Sequence, residues 1–499
     1  MAIDYNIIQK QSATPDASSM IETFRAIGYN LETAVADIID NSISAEAKNI
    51  YIERIWHGGK SIITIKDDGH GMNDEELVNA MRPGAQNPLA ERAETDLGRF
   101  GLGLKTASFS QCRKLSVMSK KKNSDSVYWS WDLDYVAFSN EWNLIKWLPE
   151  GYLNALDNQE SGTIVIWTDL DRVLPLSTPE TDDNAKRKFS NSLEHVRQHI
   201  AMTFHRFIED KTVKIYWCGN IIEPWNPFFP CPEENLTDTP APQENISGGG
   251  TIKGFVLPHK SRVSEKAYKA GEGMNGYPAQ QGFYVYRGKR LLLAGDWLGI
   301  FRKEEHYKLV RIQIDLPNTL DTNWQIDIKK SKATPPSACR DQIEQYAKKI
   351  RSVGEAVFRH RGKILKHRAG QDFQPLWLDK TKGGKWSFIV NRDHLLIKNI
   401  KEMAKTEPYH AIDTLLRFIE ESIPTKAIYV KETHEETKDA DKQEIQKEPF
   451  SDIDINLIKQ MLLQIFNNQI NSGKTPEQAK ALLKTIEPFN NYEDLIEEL

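Results

Sequence analysis

Three groups of residues in this chain have the types and spacing that chemistry requires. The first is a glycine-rich turn, Leu97-Gly98-Arg99-Phe100-Gly101-Leu102-Gly103-Leu104-Lys105-Thr106-Ala107. Glycine lets a ligand come close to the backbone. The stretch from Leu104 reads as the opening of a helix, whose first N–H groups favour an anion, and Lys105 adds a point charge suited to phosphate. The spacing is not that of a Walker A loop, and the order Gly98-x-x-Gly101-x-Gly103 reverses the Rossmann fingerprint. The second group is Asp37 and Asn41, one helical turn apart and so on one face. There a carboxylate and an amide can hold a water and a hard cation together; alone, such a pair reads as a solvated polar face. The third is Asp67-Asp68-Gly69-His70-Gly71-Met72. An Asp at a strand end followed by alternate glycines can leave a carboxylate in a cleft, ready to accept from an exocyclic amine; alone, it reads as an ordinary Asp-Gly turn.

The elements that must position these groups follow from periodicity. Met20–Ile43 reads as one helix, with Leu31, Ala34, Val35, Ile38 and Ile39 as its buried stripe. Asn49–Ile55 and Lys60–Lys66 read as a hairpin around His57-Gly58-Gly59, and Asn73–Leu77 as an acidic helix start. Residues 81–97 form a loop ahead of the glycine-rich turn, the layout of a lid. Leu115–Lys120, Val127–Leu133 and Thr163–Trp167 continue the sheet. Farther on, Val213–Trp217, Gly250–Leu257, Gly282–Tyr286 and Val310–Asp315 read as strands, and His195–Phe207 and Arg340–Ile350 as helices. Lys348, Lys349, Arg351, Arg359, Arg361, Lys363, Lys366 and Arg368 read either as a phosphate-tracking stripe or as a solvated helix face. Lys431–Glu448 is a charged run, and 451–499 resumes helical periodicity.

The totals narrow the function classes. The chain has 499 residues, 39% hydrophobic and 27% charged, with a formal charge of −5. That balance fits globular domains and gives no global pull toward nucleic acid, so DNA could be met only through a local basic patch. Four scattered cysteines show neither zinc-ligand spacing nor a disulfide framework. No secretory leader or membrane-spanning run is legible. The expectation is a cytoplasmic protein without membrane contact.

Taken together, Ala36-Asp37-Ile38-Ile39-Asp40-Asn41-Ser42, Asp67–Met72 and Gly98–Lys105 resemble the GHKL ATPases, the superfamily of gyrase, heat-shock chaperones, histidine kinases and MutL. Phe100–Ala107 and Ile38–Ser42 resemble its MORC branch, the prokaryotic relatives in particular. The resemblance implies ATP and Mg²⁺ as ligands. By it, Asn41 ligates the metal and Asp37 orients and deprotonates the attacking water. Asp67 reads the adenine amine, supported by Thr163, while Gly69, Gly71 and Met72 form the turn against which the base lies. Gly98, Arg99, Phe100, Gly101, Leu102, Gly103 and Leu104 wrap the phosphates, with Lys105 facing them. A lysine of the following domain reaches the γ-phosphate, Lys330 being the first choice and Lys329 the second. Two positions depart from the family pattern. Asp37 stands where Glu is commoner, which pulls the carboxylate back and implies slow turnover. Ser44 stands where several relatives carry an acidic residue.

The resulting expectation is an α+β protein. An N-terminal arm (1–20) precedes a GHKL (Bergerat) α/β sandwich (21–172), a transducer-like β-α domain (173–350), a helical basic region (351–430), a charged linker (431–450) and a helical tail (451–499). The expected function is an ATP-hydrolysing switch that forms an ATP-dependent homodimer through its N-terminal domain. The dimer would clamp DNA or a protein partner, the latter through the helical tail, in DNA handling or genome (phage) defence. An ATP-gated scaffold with little hydrolysis and a protein chaperone are the alternatives.

Overall fold

The computed structural model describes residues 11, 13–26, 28–84, 103–234, 236–260, 262–317, 320, 324–325, 333–359, 377–382, 385–390, 392, 416, 452–483 and 493–499. They fall into two compact units, 1–358 and 359–499.

The first unit begins with two helices where the periodicity predicts one. Helix α1 (Ala17–Arg25) is capped by the Asp16 carboxylate, and α2 (Leu31–Ser44) by the Asn30 side chain, which accepts from Thr33 N. Between them Gly28 takes φ +81°, a left-handed conformation that ends a helix. The expected arm therefore stops at Asp16, and residues 17–20 are the first turn of α1.

Strands β1 (Asn49–Ile55) and β2 (Ile62–Asp67) form the expected hairpin, followed by α3 (Asp74–Met81) and α4 (Gly103–Phe109). Next come β3 (Lys114–Lys120), β4 (Val127–Asp132), α5 (Leu133–Ser139), β5 (Gly162–Thr168), α6 (Asp183–Thr203), α7 (His205–Glu209), β6 (Lys214–Trp217) and β7 (Asn220–Ile221). The strands make one seven-stranded sheet in the order β4-β3-β5-β2-β1-β6-β7. All neighbours are antiparallel except β1 and β6, which pair in parallel with Ile50 opposite Ile215. Helices α1, α2 and α6 cover one face. Ala34, Val35, Ile38 and Ile39 of α2 are buried against Ile50, Ile52 and Ile65 of the sheet, each large aliphatic contributing about 1.5–3 kcal/mol. The expected domain boundary at 172 thus falls inside this layer, since α6, β6 and β7 all belong to it.

The second sheet has the order β11-β10-β12-β9-β8, from β8 (Glu244–Asn245), β9 (Thr251–Val256), β10 (Gly282–Arg287), β11 (Arg290–Asp296) and β12 (Val310–Leu316). Its core holds Phe228, Phe255, Tyr284, Tyr286 and Leu291 together with Met202 of α6, which fastens it to the first layer. Helices Glu265–Glu272 and Gly276–Ala279 lie between β9 and β10 in the chain. The long helix Ser337–Arg359 follows β12, and its Tyr346 hydroxyl accepts from Gly254 N. This is the mixed β-α organisation expected downstream of the first sandwich.

Among its described residues the second unit has a hairpin of Trp377–Lys382 with Lys385–Val390 and the helices Asp452–Asn471, Pro476–Leu483 and Glu493–Glu497. Leu462, Leu483 and Ile496 form a small core among these helices. All four cysteines are free thiols. No helix among the described residues is long and apolar enough to cross a membrane.

Candidate active site

Asp67 ends β2 and is nearly sealed from solvent. Its Oδ1 accepts from Gly69 N at 3.0 Å and Thr163 N at 3.2 Å, and its Oδ2 accepts from the Ser42 hydroxyl at 2.8 Å. Burial pushes this carboxyl up from its ordinary range, and the three donors oppose that shift. A carboxylate has about four lone-pair sites, so one remains on Oδ2 for a further donor. The backbone around it must be glycine. A Cβ on Gly69 would meet Ala45 O at 2.7 Å, and Gly71, at φ +68°, would drive one to 1.9 Å from Lys120 O. Met72 N donates to Ser119 Oγ at 2.8 Å, and that hydroxyl also pairs with Thr163 Oγ1 at 2.8 Å. Asp67, Gly69, Met72 and Thr163 are therefore one hydrogen-bonded assembly, with Gly71 packed beside it against Lys120. Ser42, the last residue of the Ala36–Ser42 motif, and Ser119, which nothing in the local sequence singles out, complete it.

Helix α2 supplies the next part. Asp37 is buried, its Oδ2 accepting from the Tyr29 hydroxyl at 2.8 Å. The Cβ position of Gly103, at the start of α4, lies 3.5 Å from the same oxygen, so the glycine-rich turn ends directly over the carboxylate. Asn41, one turn along, is exposed. Among the described residues no group of three or more His, Cys, Asp or Glu side chains could hold a metal alone. A hard cation at Asn41 would complete its shell with phosphate oxygens and waters, the mode that Mg²⁺ favours.

Helix α4 is held from below. Arg25 of α1 is buried and donates through Nη1 to Phe109 O at 2.8 Å and Cys112 O at 3.0 Å, and through Nη2 to Asp171. Leu104 is half-buried in the first turn of α4. Lys105, expected to face phosphates, is buried and donates to Ala80 O at 2.9 Å in the last turn of α3, where the helix dipole favours a cation. Burial lowers its pKa to about 8 from the ordinary 10.5. Between those values the unfolded chain holds the proton that the folded chain has released, so stability rises with pH there. Denaturant melts across that range should show the native chain gaining up to about 1.4 kcal/mol per pH unit relative to Lys105→Met. Parallel curves would show that Lys105 does not titrate in that window.

Gly98, Arg99, Phe100, Gly101 and Leu102 lie outside the described residues, as do Lys329 and Lys330. The basic stripe is only partly described, and that part is engaged. Lys348 pairs with Glu344 at 2.7 Å and Lys349 with Glu244 at 3.6 Å. Arg351 is buried beside Glu304, with its guanidinium over the rings of Phe301 and Tyr307. Arg351 is thus a packing residue and not part of a free basic face.

Known proteins match the same part of the chain. Residues 29–163 match the family described as histidine kinase-, DNA gyrase B-, and HSP90-like ATPase. Over 89 residues, 18% of this chain and 10% of the relative, the sequence is 30% identical to ATPase morc-1 of Caenorhabditis elegans. Over 100 residues, 19% of this chain and 17% of the relative, it is 34% identical to DNA mismatch repair protein MutL of Dictyoglomus turgidum. MutL of Coxiella burnetii is 36% identical over a stretch of the same length. The match spans less than a fifth of each of these relatives. The chain therefore carries, over residues 29–163, a domain of the histidine kinase-, DNA gyrase B- and HSP90-like (GHKL) ATPases.

Proposed function

We propose that this protein is an ATP-dependent molecular switch that binds ATP with Mg²⁺, hydrolyses it, and dimerises through its N-terminal domain while ATP is bound. One observation carries the reading. A buried carboxylate with one acceptor site to spare, Asp67, is hydrogen-bonded to Ser42 of the same helix that presents Asp37 and Asn41. Asp67 would accept the adenine amine. Asn41 would hold Mg²⁺, which when bound offsets phosphate charge. Asp37 would take the proton of the attacking water, its orientation set by Tyr29. Gly98–Leu104 would wrap the phosphates, Lys105 would leave Ala80 O to face them, and Lys330, or Lys329, would supply the lysine of the following domain that reaches the γ-phosphate. Closure of that stretch is the step by which nucleotide binding would favour assembly. By analogy with its relatives the closed dimer would clamp DNA or a protein partner in DNA handling or genome defence, a fold-level analogy in both cases.

A scaffold that binds ATP and barely turns it over is the second reading. It draws on the short Asp37 side chain, one of whose oxygens already accepts from Tyr29. The test is light scattering of the full chain with Mg²⁺ and a non-hydrolysable ATP analogue, with and without duplex DNA, beside a single-turnover assay with ATP. The switch reading expects a doubling of mass with the analogue and measurable hydrolysis. Assembly without hydrolysis favours the scaffold, and neither binding nor assembly overturns both.

A further inference from the structure

Asp40 lies between Asp37 and Asn41 on α2, and its carboxylate is sealed from solvent. Arg290, the first residue of β11 in the second sheet, donates to it through Nε, 3.1 Å from Oδ1 and 3.3 Å from Oδ2. Both side chains are at least 96% buried. The guanidinium also donates to Leu291 O and lies 5.3 Å from the ring centre of Phe204. His199 of α6 packs nearby, its pKa lowered to about 3 chiefly by burial and then by the Arg290 charge, so it adds no second cation. The two partners are 250 positions apart in the chain.

A buried ion pair is weak evidence for stability, because desolvating two charges offsets most of their attraction; its best-attested use is to fix one register among several. Here the register is that of α2. Asp40 is three residues from Asp37 and adjacent to Asn41, and α2 is a continuous helix across all three. A rotation of α2 that releases Asp40 therefore carries Asp37 and Asn41 with it.

The geometry points to Arg290 as a positioning residue: by holding Asp40 it sets the rotation of α2, so that a shift of the second sheet is felt at Asp37 and Asn41. The inference rests on the reading of α2 as the helix that serves ATP hydrolysis. It assigns the coupling between the two sheets to a side chain that meets no nucleotide.

Two variants test it in the full chain. Asp40→Leu/Arg290→Met removes both charges and keeps the volume, so no unpaired charge stays buried. Arg290→Lys keeps the charge and loses the planar fork. Each is measured for melting temperature, MgATP affinity and single-turnover hydrolysis. The double variant is expected to bind MgATP within about threefold of the native chain while its hydrolysis falls about 10- to 100-fold, the scale of a misplaced reacting group. Arg290→Lys is expected to fall between the two. Native-like hydrolysis in a folded double variant overturns the inference. Should the double variant not fold, an unchanged rate in Arg290→Lys overturns it, as does an equal loss of affinity and rate. Absence of ATP binding by the native chain would instead overturn the functional reading itself.

Discussion

Asp67→Asn should weaken ATP binding about 100-fold while leaving the fold intact. The amide oxygen can still accept from Gly69 N and Thr163 N. The new NH₂ group replaces Oδ2 and donates to Ser42 Oγ, whose hydrogen can turn to Ile38 O, already 3.4 Å away. Every internal partner therefore survives. What disappears is the single spare acceptor, and an adenine amine would now face a donor. Calorimetry with MgATP alongside a melting curve separates the two effects. Unchanged affinity in a folded variant would remove the base from this carboxylate. Asp67→Ala would be a poorer test, because it takes the acceptor from Gly69 N and Thr163 N in the interior.

Asp37→Ala should lower single-turnover hydrolysis by about 10²- to 10⁴-fold, the range for losing a general base, with MgATP affinity nearly unchanged. Asp37 is a buried carboxylate oriented by Tyr29 and approached by the start of α4; nothing in that arrangement requires it to touch the nucleotide in the ground state. Asp37→Glu extends the carboxylate by one carbon, and its rate reports whether the shorter side chain limits turnover. Equal rates for all three proteins would show that Asp37 is not the base.

Much of this site was legible in the sequence because its signals are local. The Asp37–Asn41 spacing is set by the helical repeat, and Gly69 and Gly71 stand where no Cβ fits, which a glycine pattern announces directly. Its supporting residues are less visible for the opposite reason. Ser42 meets Asp67 across 25 positions and Ser119 meets Thr163 across 44, and a serine's type announces neither contact. Tyr29 was closer to hand, eight positions before Asp37, but its hydroxyl reaches Asp37 only because the chain turns at Gly28 and restarts at Asn30. That break was itself readable, since Asn30 and Thr33 have the spacing of a helix cap. The apolar stripe on α2 concealed it by continuing the helical period backward. Its neighbours alone mark Lys105 as a phosphate ligand; its burial against the end of α3 depends on tertiary packing that no local pattern encodes.

The parallel pairing of β6 with β1 bears on how the protein is made. During synthesis the hairpin of β1 and β2 leaves the ribosome before β6 does, with one backbone edge of β1 unsatisfied. That edge stays open until Trp217 has emerged, and the side of α2 that α6 covers stays wet for nearly as long. A nascent chain therefore holds Asp37, Asn41, Asp67 and Thr163 well before the sheet around them is complete. An exposed strand edge in that interval is a template for pairing with another chain.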